Sequence, residues 1–258
     1  MHFSTVKSAL LATALLATGV FSASSATAAD ELVVRVGTEP SFAPFEFMDE
    51  KSKRLTGFDV DLINAVANAA GFKADISTMP FDGLIPAILT GSLDAGISAF
   101  TITEDRKKKV AFSEPYIDAG LGIVIRADKK DEIHGPEDLE GRKLCGQIGT
   151  SGAMYSEKVK GATVTQFNSA SETYLELRKG GCEAIVNDRP VHAYYMATAT
   201  PDDVILLDGY ITAESYGIVM SKNNKQLQEL VANGMKKIKA DGTYKQIYDK
   251  WFCDSASK

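Results

Sequence analysis

The sequence has few of the residues that usually declare a chemistry. Its 258 residues include three cysteines, three histidines and one tryptophan. Three cysteines are too few for a small disulfide-framework fold. His2, His134 and His192 form no spaced metal or nucleophile motif, so no metal, cofactor or catalytic residue is expected. Basic residues are also in deficit. Lys+Arg 28 against Asp+Glu 34 leaves a net charge of −6, a poor balance for a nucleic-acid binder. After residue 29 no stretch reaches the ~18 consecutive apolar residues of a membrane span. What is present is ordinary for a globular chain: 45% hydrophobic, 24% charged and 9% aromatic. The length admits one or two domains.

The one long apolar run is at the start. His2 and Lys7 precede residues 9–20, and small residues fill 22–29. This is the three-part pattern of a secretory signal peptide, and the run is too short to cross ~30 Å of hydrocarbon as a helix. Cleavage fits after Ala26-Thr27-Ala28 or after Thr27-Ala28-Ala29. Residues 1–29 therefore read as a signal peptide, and the product as an exported, periplasmic protein. Removing Lys7 makes the net charge one unit more negative. In an oxidising compartment Cys145 and Cys182 can pair, or can stay two small buried hydrophobes; Cys253 is the odd one out.

After the leader, strand-like and helix-like patterns alternate. Strands are expected over 32–37, 73–78, 93–97, 143–147, 163–167, 183–187 and 216–220. Helices are expected over 59–70, 81–90, 151–160, 169–179, 189–197, 224–240 and 243–252, with a Thr103-capped turn over 104–107. The alternation indicates an α/β chain with mainly parallel sheets. Two glycine-containing extended stretches, 112–124 and 213–219, look alike and read as crossings between two lobes. The organisation predicted is lobe 1 from 30–115, lobe 2 with hinge segments from 116–215, and a return to lobe 1 over 216–258. A ligand then belongs in the cleft.

Specific motifs carry a resemblance. Gly57-Phe58-Asp59-Val60-Asp61-Leu62 matches the signature of the family 3 extracellular solute-binding proteins, periplasmic receptors for polar amino acids that serve ABC importers. Gly37 to Phe47, Met79 to Ala87, Thr101 to Lys108, Gln147 to Gly152, Val186 to Pro190 and Asp241 to Tyr244 continue the match in the family's order. The resemblance implies a two-lobe type II periplasmic-binding-protein fold with a discontinuous first lobe and two hinge strands. It also implies a monomer that delivers an L-amino acid to an inner-membrane ABC permease.

It further implies roles for single residues. Arg106 matches the carboxylate-binding arginine, whose fork can grip a carboxylate with two charged hydrogen bonds. Asp188 matches the ammonium-binding carboxylate. Ser98, Ala99 and Thr101 lie where the family contacts the ligand's backbone groups, and Thr150 and Ser151 open a helix facing the same end. Phe42 and Phe81 match the aromatic positions flanking the ligand side chain. Gln147 and Asn187 complete the expected lining. Glu39 stands where many relatives with basic or amide ligands carry an acid. In some glutamine-binding relatives a lysine at the position of Gln147 neutralises it, whereas Gln147 is uncharged. A cationic ligand side chain would offset the cost of that carboxylate. Arginine, lysine, ornithine or histidine are therefore favoured, with glutamine second. The alternative class is an enzyme on the same scaffold, a cyclohexadienyl or arogenate dehydratase, which needs an acid beyond the carboxylate grip.

Overall fold

The computed structural model describes residues 1–2 and 32–253; most of the expected leader lies outside the described residues. The chain begins with β1 (Val33–Thr38) and a small meander of β2 (Ser41–Phe42), β3 (Glu46–Met48) and β4 (Leu55–Thr56). There follow α1 (Phe58–Ala70), β5 (Lys73–Thr78), α2 (Phe81–Leu89), β6 (Ala95–Gly96), α3 (Glu104–Lys109) and β7 (Ala111–Phe112). It crosses on β8 (Ile117–Ala119) into β9 (Leu121–Arg126), β10 (Lys143–Gln147), α4 (Ser151–Ser156), β11 (Thr163–Phe167), α5 (Ala170–Lys179), β12 (Ala184–Asp188), α6 (Arg189–Ala199) and β13 (Val204–Leu206). It returns on β14 (Glu214–Tyr216) to β15 (Val219–Met220), α7 (Lys225–Ala240) and α8 (Thr243–Tyr248).

Two five-stranded sheets result, ordered β5-β1-β6-β15-β7 and β11-β10-β12-β9-β13. Each is mixed rather than mainly parallel. The βα units supply parallel neighbours, whereas β15 and β9, which follow the crossings, run antiparallel to β6 and β12. The crossing strands β8 and β14 pair antiparallel as a two-stranded hinge, with Ile117 opposite Tyr216 and Ala119 opposite Glu214. The strand expected over 216–220 is thus two strands. At Gly217 and Ile218 the backbone changes partner: Gly217 N–H donates to the Phe100 carbonyl at 3.1 Å and Ile218 N–H to Ser113 Oγ at 2.9 Å.

Helix limits follow local chemistry. Gly71 and Gly180, both left-handed, close α1 and α5, and Ser169 with Glu172 forms a capping box that starts α5. The expected helix over 151–160 ends at Ser156, whose hydroxyl bonds back to the Gly152 carbonyl at 2.9 Å. In lobe 1, Leu62, Ile63 and Val66 of α1 share a buried core with Val231 and Met235 of α7. In lobe 2, β9 is apolar on both faces: Ile123 and Ile125 enter one cluster and Val124 the other, as alternation requires. Cys145 and Cys182 form a disulfide in that second cluster, with Cα atoms 5.9 Å apart, and Cys253 is free and exposed.

Candidate functional site

Lobe 1 supplies one wall. Glu39 follows β1 and is buried; its Oε2 accepts from Ser41 Oγ at 2.8 Å and from Ser41 N–H at 3.3 Å. Phe42 sits in β2. Phe81 starts α2 immediately after Pro80, a position that fixes the entry of the helix, and its ring stacks on Phe100 with centroids 4.7 Å apart. Ser98, Ala99 and Thr101 follow the short strand β6. Thr103 Oγ1 caps α3 by accepting from Arg106 N–H at 3.2 Å, which sets Arg106 on the first turn pointing back at the cleft.

Lobe 2 supplies the other wall from the carboxyl ends of β10 and β12, where ligands of α/β sheets gather. Gln147 ends β10 and Asp188 ends β12. Between β10 and α4 the chain turns at Gly149 with φ +78°, a conformation that favours glycine; a Cβ there would lie 3.2 Å from Asp82 of lobe 1. Thr150 caps α4 by accepting from Ala153 N–H at 3.2 Å and donates to the Gln147 carbonyl at 2.8 Å, so its hydroxyl is committed within lobe 2. α4 can lie directly on β12 because Gly152 has no Cβ, which would otherwise meet the Val186 carbonyl at 2.2 Å.

The walls meet. Arg106 donates through Nη1 to the Thr101 carbonyl and through Nη2 to the Gly149 carbonyl, both at 2.9 Å, so its guanidinium touches both lobes. Thr101 Oγ1 and Ser151 Oγ are 3.2 Å apart across the cleft, and Ala170 N–H of α5 donates to Ser41 Oγ at 3.1 Å. The cavity between the walls is lined by Glu39, Phe42, Phe81, Ser98, Ala99, Thr101, Arg106, Gln147, Thr150, Ser151 and Asp188.

Burial governs the charges. Desolvation pulls Arg106 down to about 10, while Asp188 and Glu214 nearby favour its charged form. Desolvation pushes Asp188 up to about 7, against a hydrogen bond from the Tyr216 hydroxyl. Glu39 is raised by burial and only partly relieved by hydrogen bonds from Ser41 and Gln147. Among the described residues, no ion pair involves Glu39. The cavity thus has a guanidinium at one end and two carboxyls elsewhere, none of them fully compensated. A zwitterion with a further positive group complements that pattern.

The family profile of bacterial extracellular solute-binding proteins, family 3, matches residues 34–254, which takes in both sheets and the hinge. The chain belongs to that family. It is 33% identical to a probable histidine-binding protein of Neisseria gonorrhoeae, over 85% of this chain and 83% of that one. Among solved structures it resembles an ancestral arginine-binding protein bound to arginine, with 40% identity and a TM-score of 0.82 over 85% of this chain and 98% of the other. An ancestral arginine-binding protein bound to glutamine gives 40% identity and a TM-score of 0.79, over 85% and 97%. These relatives are binding proteins rather than enzymes. The two-lobe arrangement with a discontinuous first lobe is the type II architecture of this solute-binding family.

Eleven of the twelve residues expected in the site of this solute-binding protein converge on the one cavity. Asn187 does not: it is buried in β12, one residue before Asp188, and adjacent strand residues point to opposite faces. The sequence reading missed Glu214 and Tyr216, both on β14. Glu214 Oε2 accepts from Thr101 Oγ1 at 2.9 Å and Ser151 Oγ at 3.2 Å, one hydroxyl from each lobe, and its Oε1 accepts from Thr212 Oγ1 at 3.0 Å. Their only sequence signal is position on a crossing strand, which becomes informative once that strand is known to floor the cleft.

Proposed function

We propose that this chain is an exported periplasmic receptor for a free L-α-amino acid with a cationic side chain. Arginine, lysine, ornithine and histidine are the favoured ligands, with glutamine next. In this reading the lobes are residues 30–115 with 216–258, and 116–215; residues 1–29 are removed on export. The closed receptor presents both lobe surfaces to an inner-membrane ABC permease, as its family membership suggests.

The observation that carries the ligand class is Glu39. It is a buried carboxyl facing the cavity with no ion pair among the described residues, and leaving such a group uncompensated is costly. A guanidinium or ammonium reaching it between the rings of Phe42 and Phe81 restores the balance. Arg106 then takes the α-carboxylate with its forked donors, and Asp188 takes the α-ammonium. Relatives named for histidine and arginine support the class. The protein bound to glutamine supports keeping the amide as second choice.

The energetics are attainable. A micromolar Kd requires about −8.2 kcal/mol, or about 0.7 kcal/mol for each of arginine's roughly dozen heavy atoms, below the ~1.5 ceiling for small ligands. Glu39→Gln is the direct test of selectivity. Calorimetry should show arginine affinity falling at least tenfold while glutamine affinity falls less. An unchanged arginine-to-glutamine ratio would remove Glu39 as the selector.

A further inference from the structure

Two carboxylic acids lie directly beneath the ligand cavity without lining it. Glu46 of β3 and Asp59 of α1 are both wholly buried, and Asp59 belongs to the Gly57–Leu62 signature whose role the ligand contacts leave unexplained. Their carboxyls are within hydrogen-bonding reach of each other. Each grips a different part of one turn. Asp59 Oδ2 accepts from Ala99 N–H and from the Tyr116 hydroxyl, both at 2.8 Å. Glu46 Oε1 accepts from Ser98 Oγ at 2.7 Å, and Ser98 Oγ in turn accepts from Glu39 N–H at 3.2 Å. Among the described residues, the remaining oxygens, Glu46 Oε2 and Asp59 Oδ1, receive no donor.

Ionised carboxylates only accept hydrogen bonds, so a neighbouring pair of buried carboxyls short of donors is relieved when one acid keeps its proton. Two adjacent buried negative charges would otherwise repel without a counter-ion. Asp59 already accepts two donors on one oxygen, which favours its charged form; Glu46 accepts one hydroxyl and is therefore the acid that donates. The turn they hold is not relaxed. Ala99, which lines the cavity, has φ +45°, a conformation that residues with a Cβ rarely adopt, so external contacts must maintain it.

We propose that Glu46 and Asp59 hold a single proton between them, and that this pair is the positioning device that fixes the Ser98–Ala99 turn against the ligand. Neither acid touches the ligand; both act through Ser98 and Ala99. The titratable groups facing the pair are Tyr116 and Tyr216, whose hydroxyls stay neutral because burial raises them, and Glu39 on the cavity side. Burial raises Glu46 far above the usual carboxyl range and brings Asp59 to about 6, which agrees with one retained proton at neutral pH.

The test begins on the unliganded protein. The isotope-edited infrared difference between wild type and Glu46→Gln at pH 7 should contain one protonated-carboxyl band; absence of that band overturns the proposal. Glu46→Gln keeps one donor and one acceptor in place, whereas Glu46→Ala keeps neither. Ala99 amide hydrogen exchange should therefore accelerate at least tenfold in Glu46→Ala and return to within about threefold of wild type in Glu46→Gln. Equal acceleration in both variants overturns the shared proton as the device. A final arm, resting on the amino-acid-receptor reading, measures arginine affinity, which should fall at least tenfold in Glu46→Ala and recover in Glu46→Gln. If wild type binds no arginine, that reading fails, while the infrared and exchange arms still decide the proton.

Discussion

Asp188 shows how a single buried group can set the chemistry of the cleft. At about 7 in the empty protein, against an ordinary 3.8, it is partly protonated at neutral pH because burial disfavours its charge. An ammonium group held against it favours the carboxylate, so binding expels the proton. Affinity for arginine is therefore expected to fall by up to about tenfold per unit as pH drops below about 7, with proton release on binding. Calorimetry in buffers of different ionisation enthalpy checks both. Because the folded value lies above the unfolded one, this group alone makes the empty protein more stable on acidification from about 7 toward 4. Arg106 gives the complementary expectation. Arg106→Ala should lose at least tenfold in affinity, since it removes both the forked grip and the link to Gly149. Arg106 and Asp188 were legible because each sits in a contiguous motif. The partners of Glu214, Glu46 and Asp59 were not legible, although Glu46 and Asp59 also stand in matched motifs, because those partners lie far along the chain: Thr101 is 113 residues from Glu214, and Ala99 is 40 from Asp59.

At the scale of elements, the helices with strong local signals were the most readable. α1 and α5 start within one residue of the expected positions and end at the expected ones, before Gly71 and Gly180, and β5, β10 and β11 have the expected bounds. The short strands of the meander and the split between β14 and β15 were not readable. They consist of two or three residues whose ladders are defined by distant partners, not by periodicity. The disulfide joins β10 to the residue pair before β12, and the sequence left it open because two buried thiols have the same local pattern. It closes a separation of 37 residues, so in the chain-entropy account its removal costs about 4 kcal/mol. Urea unfolding of the Cys145→Ser/Cys182→Ser protein should show a loss near that size; an unchanged midpoint and slope would contradict it. The signature motif also anchors the return segment: Asp61 Oδ2 accepts from Lys250 Nζ at 2.6 Å and Trp251 Nε1 at 2.8 Å, tying α1 to the end of the chain.

For the molecule as a whole, the proposed receptor function rests on closure of the lobes. The lobes meet through apolar contacts, such as the Phe47 and Tyr194 rings, and through polar ones, two of which converge on Glu214 of the hinge, which holds Thr101 and Ser151 together. Opening the cleft must break at least one of these bonds. Glu214→Ala should therefore speed arginine dissociation by about tenfold, about 1.4 kcal/mol, with association little changed. Stopped-flow kinetics separates the two rates, and a slowed association with unchanged dissociation would oppose this view of the hinge. On the proposed reading the cavity accepts an amino acid whose side chain is cationic. Titration calorimetry of the purified protein against arginine, lysine, ornithine, histidine, glutamine, glutamate and alanine tests it most directly. A basic amino acid should bind tightest, with glutamine next and with heat consistent with one site per chain. Tightest binding of glutamate or alanine would contradict it.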